Sequence, residues 1–307
     1  MPVRIFIPST ELFTRVTGDP GSTENFSLPR FLYLWMVHTK SGVETVIYRT
    51  HELDPANWEL LLPSVNGDYI YEYTGDIGVR MPVDREGATC EAYVAVSRVA
   101  LSNISSSLST LAEVRSATFD LPSPELGDSY NSIIRDIYSS PYNLTTTSGS
   151  DTYYYGKVQD YTSSQPYVNL ILYHVGAKLD LNWNIDEGNR STLWLQHESD
   201  AISVTGLKCK NCYLFKPMQN DAVGADPYTW NISANIGNQW LGREYAYVIP
   251  YFNGSSQYPI SATVKKVVNS SNGTKTTAMN IEVAGYASYV FTPWLIGKIT
   301  VDNTTAP

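Results

Sequence analysis

Apolar and polar positions alternate through much of this chain, and a period of two is the mark of an extended segment with one buried face. Val3, Ile5 and Ile7 alternate with Pro2, Arg4 and Phe6. Strand-like runs follow at residues 31–37, 43–48, 68–74 and 92–101, with Gly42 and the pair Asn66-Gly67 among the turn formers between them. Short strands punctuated this regularly predict a β-sandwich.

Helical spacing is sparse. Ile104, Leu108, Leu111 and Ala112 recur at three and four residues, which predicts one short helix, and residues 130–139 predict another. Between about 140 and 165 the chain turns to Ser, Thr, Gly, Pro and Tyr without an apolar period, which reads as a long connection. A second strand series then occupies 168–185, 201–207, 245–251, 260–268 and 278–283, with Asn272-Gly273 placed to turn a hairpin. The expected architecture is all-β, with two tandem β-sandwich domains at 1–160 and 161–307 and short helical insertions.

The stretch YHVGAKLDLNWNID, residues 173–186, can be read as a calcium loop or as a strand. Asp180, Asn182, Asn184 and Asp186 fall at every second position. A calcium loop counted from Asp180 needs Gly at its sixth position and Glu at its twelfth, where this chain has Ile185 and Ser191. The alternation of Leu179, Leu181, Trp183 and Ile185 predicts a half-buried strand instead, and no metal is expected.

Composition sharpens the picture. The 307 residues include 23 Tyr, and Ser and Thr are abundant, which favours strands. A net charge of −9 would repel phosphate backbones, so no nucleic-acid partner is expected. No run approaches the ~18 apolar residues of a membrane span, and the first residues lack the regions of a signal peptide. If the protein is exported, its signal is expected upstream of this sequence.

Catalytic chemistry is hard to find. There is no HExxH, GxSxG, phosphate loop or dinucleotide fingerprint, so no enzyme and no cofactor are expected. His38, His51, His174 and His197 stand alone, and His174 reads as a packed or surface side chain. Glu198 and Asp200 would serve glycoside hydrolysis only if they faced a cleft. Cys209-Lys210-Asn211-Cys212 reads as a structural or incidental pair. Zinc, redox work and a bond to Cys90 remain as alternatives. Tyr153, Tyr154, Tyr155, Tyr161 and Tyr167 either pack a domain junction or offer faces on which a glycan or host protein stacks.

Three segments carry a resemblance. TRVTGD at 14–19 ahead of the aromatic strand FLYLWMV, the central LILYHVGAKLDLNWN at 170–184, and AYVAVSRV at 92–99 together resemble the exported fimbrillins of Bacteroidetes, a superfamily of pilus subunits and anchors. The resemblance implies transthyretin-like sandwiches, lipoprotein export, a place in an outer-membrane-associated pilus on the cell surface, and other pilus subunits as partners. It also implies a mechanism, in which a protease cuts after an Arg near the N-terminus, the first strand leaves, and an extended segment of the next subunit fills the groove. Arg15 stands where that Arg is expected. No Cys precedes Cys90, so the lipobox of the family has no counterpart within this sequence.

Strand exchange is physically reasonable on these residues. Removal of an edge strand leaves unpaired N–H and C=O groups beside an apolar slot, and an incoming strand satisfies both. Val3, Ile5 and Ile7 are the candidates for the displaced strand. Trp294, Ile296, Ile299 and Val301 are the candidates for the replacement, with Gly297 expected to allow a bulge. The expected function is thus a structural or adhesive subunit, as stalk, tip or anchor of the pilus. The alternative is a surface lipoprotein module that binds glycan or host protein.

Overall fold

The computed structural model describes residues 2–8, 28–61, 70–78, 87–125, 130–140, 145–148, 151–154, 168–184, 193–194, 202–207, 209–215, 219–220, 228–232, 241–249, 251–252, 261–268, 274–280 and 296–302. It is all-β, with two short α-helices among those residues. The chain divides into two compact units. One comprises Met1–Val175, Asn211–Pro217 and Ala287–Pro293, and the other Gly176–Lys210, Met218–Tyr286 and Trp294–Pro307.

The strands of the first unit are β1 (Pro2–Pro8), β2 (Phe31–Lys40), β3 (Val43–Glu52), β4 (Trp58–Leu61), β5 (Ile70–Asp76), β6 (Ala88–Ser97), β7 (Thr118–Phe119), β8 (Ile137–Ser139), β9 (Thr145–Ser148), β10 (Asp151–Tyr154), β11 (Val168–Ile171) and β12 (Tyr173–His174). They build a four-stranded sheet in the order β11-β1-β5-β4 and a five-stranded sheet in the order β12-β8-β6-β2-β3. Two sheets face each other through one apolar cluster. Val3, Ile5, Ile7, Trp58, Tyr73 and Leu170 come from the first sheet, and Leu32, Leu34, Met36, Ala92, Val94, Val96 and Tyr138 from the second. This is a β-sandwich, as the punctuated strands predicted.

β2 is apolar at nearly every position because it is covered on both faces. Leu32, Leu34 and Met36 enter the sandwich core, whereas Trp35 turns to the other side and meets Phe215 edge-on at 5.4 Å and Tyr48 at 5.0 Å. The link to β3 is a two-residue turn, Ser41-Gly42, with φ of 52° and 79°. Positive φ at both turn positions matches the twist of the flanking strands, which is why Gly is placed here.

The outer face of the second sheet is covered by residues 101–121. Helix α1 (Leu111–Arg115) begins there at a capping box: Thr110 Oγ1 accepts from the Glu113 N–H at 3.2 Å, and the Glu113 carboxylate accepts from the Thr110 N–H at 3.1 Å. The sequence predicted helix from Ile104 onward. Instead, Ser102 and Asp120 exchange backbone hydrogen bonds at 3.0 and 2.7 Å, and the Ser105 N–H donates to the Thr118 carbonyl at 2.9 Å. Serines that bond to a neighbouring segment compete with helix formation, and the cap at Thr110 sets the true start. Helix α2 (Tyr130–Arg135) likewise stops short of the predicted 139, because Ile137–Ser139 pair with β6 as β8.

The run at 168–185, read as one strand segment, is three. β11 joins the first sheet and β12 the second, and β13 (Ala177–Asn184) belongs to the other unit. The long connection read at 140–165 also contains structure, since β9 and β10 pair as an antiparallel hairpin with Tyr153 opposite Thr146 and Tyr154 opposite Thr145.

The remaining strands are β14 (Leu193–Trp194), β15 (Ile202–Leu207), β16 (Cys212–Tyr213), β17 (Gln219–Asn220), β18 (Tyr228–Ile232), β19 (Leu241–Val248), β20 (Tyr251–Phe252), β21 (Ser261–Val268), β22 (Thr274–Asn280) and β23 (Ile296–Asp302). In the second unit β13 lies between β19 and β23. A separate sheet runs β14-β21-β15-β18, with β22 also pairing β21. β21 and β22 form the hairpin expected around Asn272-Gly273. β16 also belongs to the first unit, where it pairs β7; its Cys212 is buried, as are Leu214 and Phe215 just after it.

Candidate functional site

The N-terminal strand is seated as an insert. β1 runs parallel to β11 on one side and antiparallel to β5 on the other, so it is not the edge strand that the sequence suggested. Its apolar positions are opposed in sequence order: Val3 by Val168 and Gly75, Ile5 by Leu170 and Tyr73, and Ile7 by Tyr71. Val3, Ile5 and Ile7 are each 0% exposed. Burial of three such side chains stabilises the seat by roughly 1.5–3 kcal/mol each. Loss of β1 would open a slot with a row of backbone donors and acceptors along both walls, twice what an edge strand leaves behind.

One wall is closely fitted. Tyr73 is buried against Trp58, with ring centroids 5.3 Å apart, and its ring lies across the place where a side chain at Gly75 would stand. A Cβ on Gly75 would meet Tyr73 Oη at 2.6 Å and Cε1 at 2.7 Å. Gly75→Ala should therefore push Tyr73 out of its packing and cost about 1–3 kcal/mol. Urea unfolding of the variant checks this.

The outer face of β1 carries charge. Arg4 forms an ion pair with Glu72 of β5 and places its guanidinium 5.6 Å from the Phe6 ring centroid. Thr74 Oγ1 donates to the same Glu72 oxygen at 3.2 Å. The Glu72 side chain is only 7% exposed. Sequence patterns do not mark Glu72 as a site residue.

Arg15 and Trp294 lie outside the described residues. Ile296, Ile299 and Val301 lie in β23, which pairs parallel with β13 in unbroken register, Ile296 opposite Lys178, Ile299 opposite Leu181 and Val301 opposite Trp183. The bulge expected at Gly297 is absent, because Gly297 itself pairs in register with Leu179. In a regular strand positions 296, 298 and 300 share one face and 297, 299 and 301 the other. Ile296 therefore does not share a face with Ile299 and Val301, and the four residues named as replacement candidates cannot all enter one slot. β1 and β23 belong to different units.

Asp180, Asn182 and Asn184 lie along β13, as the strand reading required. Among the described residues no group of three or more His, Cys, Asp or Glu could hold a metal ion. Cys90, Cys209 and Cys212 are not joined in a disulfide, and Cys209 and Cys212 are both buried. His197, Glu198, Asp200, Tyr155, Tyr161 and Tyr167 lie outside the described residues.

His174 is buried and packed. Its ring stands 4.4 Å from that of Tyr138, and Nδ1 lies 3.0 Å from the Arg135 carbonyl, so Nδ1 carries the proton it donates there. Burial pushes its pKa well below the usual imidazole value, against the opposing effect of that carbonyl. The unfolded imidazole titrates near ~6.5, so below that pH the unfolded chain takes up a proton that the folded chain refuses. Stability from this residue is complete above ~6.5 and is lost as pH falls toward the folded value. Urea unfolding at pH 7.5 and at pH 5 should show a smaller acid loss in His174→Gln than in the parent.

No protein-family model matches the chain, and no curated protein matches it in sequence. In fold it is similar to several solved structures. A candidate polysaccharide-binding protein from Bacteroides thetaiotaomicron superposes with a TM-score of 0.48 at 8% identity, over 98% of this chain and 90% of that one. A candidate cell adhesion protein from Bacteroides eggerthii gives 0.44 at 14% identity, over 98% and 86%. The fimbrial anchor protein Mfa2 from Porphyromonas gingivalis gives 0.41 at 7% identity, over 98% and 91%.

Proposed function

We propose that this chain is a structural or adhesive subunit, serving as stalk, tip or anchor, of a bacterial cell-surface pilus assembled by strand exchange. A protease cuts after Arg15, β1 leaves the first unit, and an extended segment of another pilus subunit takes its place. The observation that carries this reading is the seating of β1 between β5 and β11, with its three apolar side chains fully buried. Such a strand is at once essential to the sandwich and replaceable by any strand of matching pattern. It is also held too firmly to exchange unaided, so a cut in the polar segment that follows is the natural trigger.

The test is brief digestion with trypsin, followed by mass spectrometry and sizing. Cleavage at Arg15 with slow loss of residues 2–8, and then oligomers or capture of a strand peptide, is the expected result. A chain that resists cleavage at Arg15 while being cut elsewhere, or whose clipped form stays monomeric and captures nothing, would refute the assembly role.

The alternative, a surface module for glycan or host protein, draws on the hairpin of β9 and β10. There Thr and Tyr residues pair across the strands with no share in the sandwich sheets. Loss of glycan or host-protein binding on Tyr153→Ala and Tyr154→Ala would favour that reading.

A further inference from the structure

We propose that the outer edge of β3 docks a second copy of this chain, the two β3 strands pairing antiparallel about Ile47. The inference is independent of strand exchange, since β3 ends the five-stranded sheet and among the described residues pairs β2 alone. It runs ten residues in unbroken register with β2, with no Pro and no bulge to blunt the edge. The two-residue turn Ser41-Gly42 closes on a hydrogen-bonded pair, Lys40 and Val43, so the odd residues of β3 bond to β2. The N–H and C=O groups of Glu44, Val46, Tyr48 and Thr50 therefore point away from the sheet. Arg49 agrees with this, because its Nη1 reaches the Tyr48 carbonyl at 2.7 Å. Exposed apolar side chains gather on the same side. Among the described residues the large ones are Val43, 67% exposed, on β3, and Leu60, 45% exposed, on β4. β3 leads through a 3-10 turn at Pro55–Asn57 into β4, which ends the facing sheet, so the two open edges are neighbours.

Charge along β3 selects the occupant and its register. A two-fold axis normal to the sheet keeps inner faces with inner faces, so it must pass through a residue, and even positions then meet even ones. With the axis at Ile47, Glu44 lies opposite Thr50 of the second copy, Val46 opposite Tyr48, Thr45 opposite Arg49 and Val43 opposite His51. No like charges meet. An axis at Tyr48 sets Glu44 against Glu52 on both sides, and an axis at Arg49 sets that guanidinium against itself. An axis at Val46 runs residues 50–52 past the turn of the other copy and leaves them without a strand partner. In the Ile47 register the outward groups of 44, 46, 48 and 50 bond to one another, and the N–H of Val46 in the second copy takes the Tyr48 carbonyl from Arg49.

Sedimentation of the full, uncut chain over a range of concentrations should show a monomer–dimer equilibrium. Val46→Pro removes an outward donor and none of the bonds to β2, so it should keep the cooperative melt and lose the dimer. Thr50→Glu, which faces Glu44 twice across the axis, should weaken association about tenfold, and Thr50→Lys should tighten it. In a Cys90→Ser background Ile47→Cys should oxidise to a linked dimer, because the two copies of residue 47 form a non-hydrogen-bonded pair with Cα atoms about 4.5 Å apart. Tyr48→Cys faces residue 46 and should not. A chain that stays monomeric at every concentration, or a dimer that a folded Val46→Pro leaves intact, would overturn the β3 contact. A dimer that links through Tyr48→Cys and not Ile47→Cys would overturn the register. If Val46→Pro does not fold, the Thr50 pair and the cross-link decide, and a dimer indifferent to both would refute the proposal.

Discussion

Ile5→Asp should abolish the cooperative fold of the first unit, while Phe6→Ala, one position along the same strand, should leave it standing. Ile5 has no exposed surface and lies between Tyr73 and Leu170 in the shared core of the two sheets. Truncation of such a side chain to Ala costs about 2–5 kcal/mol. Aspartate adds to that loss a carboxylate with no partner in an apolar core, and the sum approaches the ~5–15 kcal/mol by which a whole domain is stable. Phe6 is on the other face, beside the Arg4 guanidinium, and its loss removes one cation–π contact of about 0.5–1 kcal/mol. Hydrogen exchange read by mass spectrometry over residues 31–40 and 88–97 separates the two cases, because those segments report the sandwich apart from the second unit. Full protection in Ile5→Asp would mean that β1 is not part of the core, and the slot would lose its basis.

Strands are legible in the sequence where burial imposes a period. β1 shows its inward face as Val3, Ile5 and Ile7, and β13 shows itself against the calcium reading because no turn-forming Gly stands at the sixth position. Pairing is not legible in the same way. Whether β1 lies at an edge or in the middle depends on β5 and β11, both distant along the chain, and the residues of β1 read the same either way. The Ser-rich approach to α1 misleads for a related reason. Ile104 and Leu108 keep helical spacing, yet the backbone bonds that win are those made to residues 118–120, and nothing local announces them. Glu72 is the clearest case. In sequence it is one acid within an aromatic strand, and only the diagonal neighbour supplied by β1 turns it into a buried counter-charge.

Asp136→Asn should destabilise the first unit by about 3–5 kcal/mol, although the substitution hardly changes shape. Asp136 has no exposed surface and accepts from Arg135 Nε at 2.8 Å and Nη2 at 2.9 Å, with Arg98 Nε at 3.2 Å. One carboxylate therefore separates two guanidiniums, and Asn leaves both positive charges facing each other in a buried site. The damage should travel along a definite path. The Arg135 carbonyl takes the hydrogen bond of His174, and β8, which begins at Ile137, pairs β12. β12 follows directly on β11, which is one wall of the β1 slot. Loosening the ion cluster should then raise hydrogen exchange in 137–140 and 168–175 together, and should speed the release of a clipped β1 without any change in the slot's own side chains. An Asp136→Asn chain in which 130–135 loosens while 168–175 keeps its protection would show that the ion cluster supports helix α2 alone and that the slot wall stands independently of it.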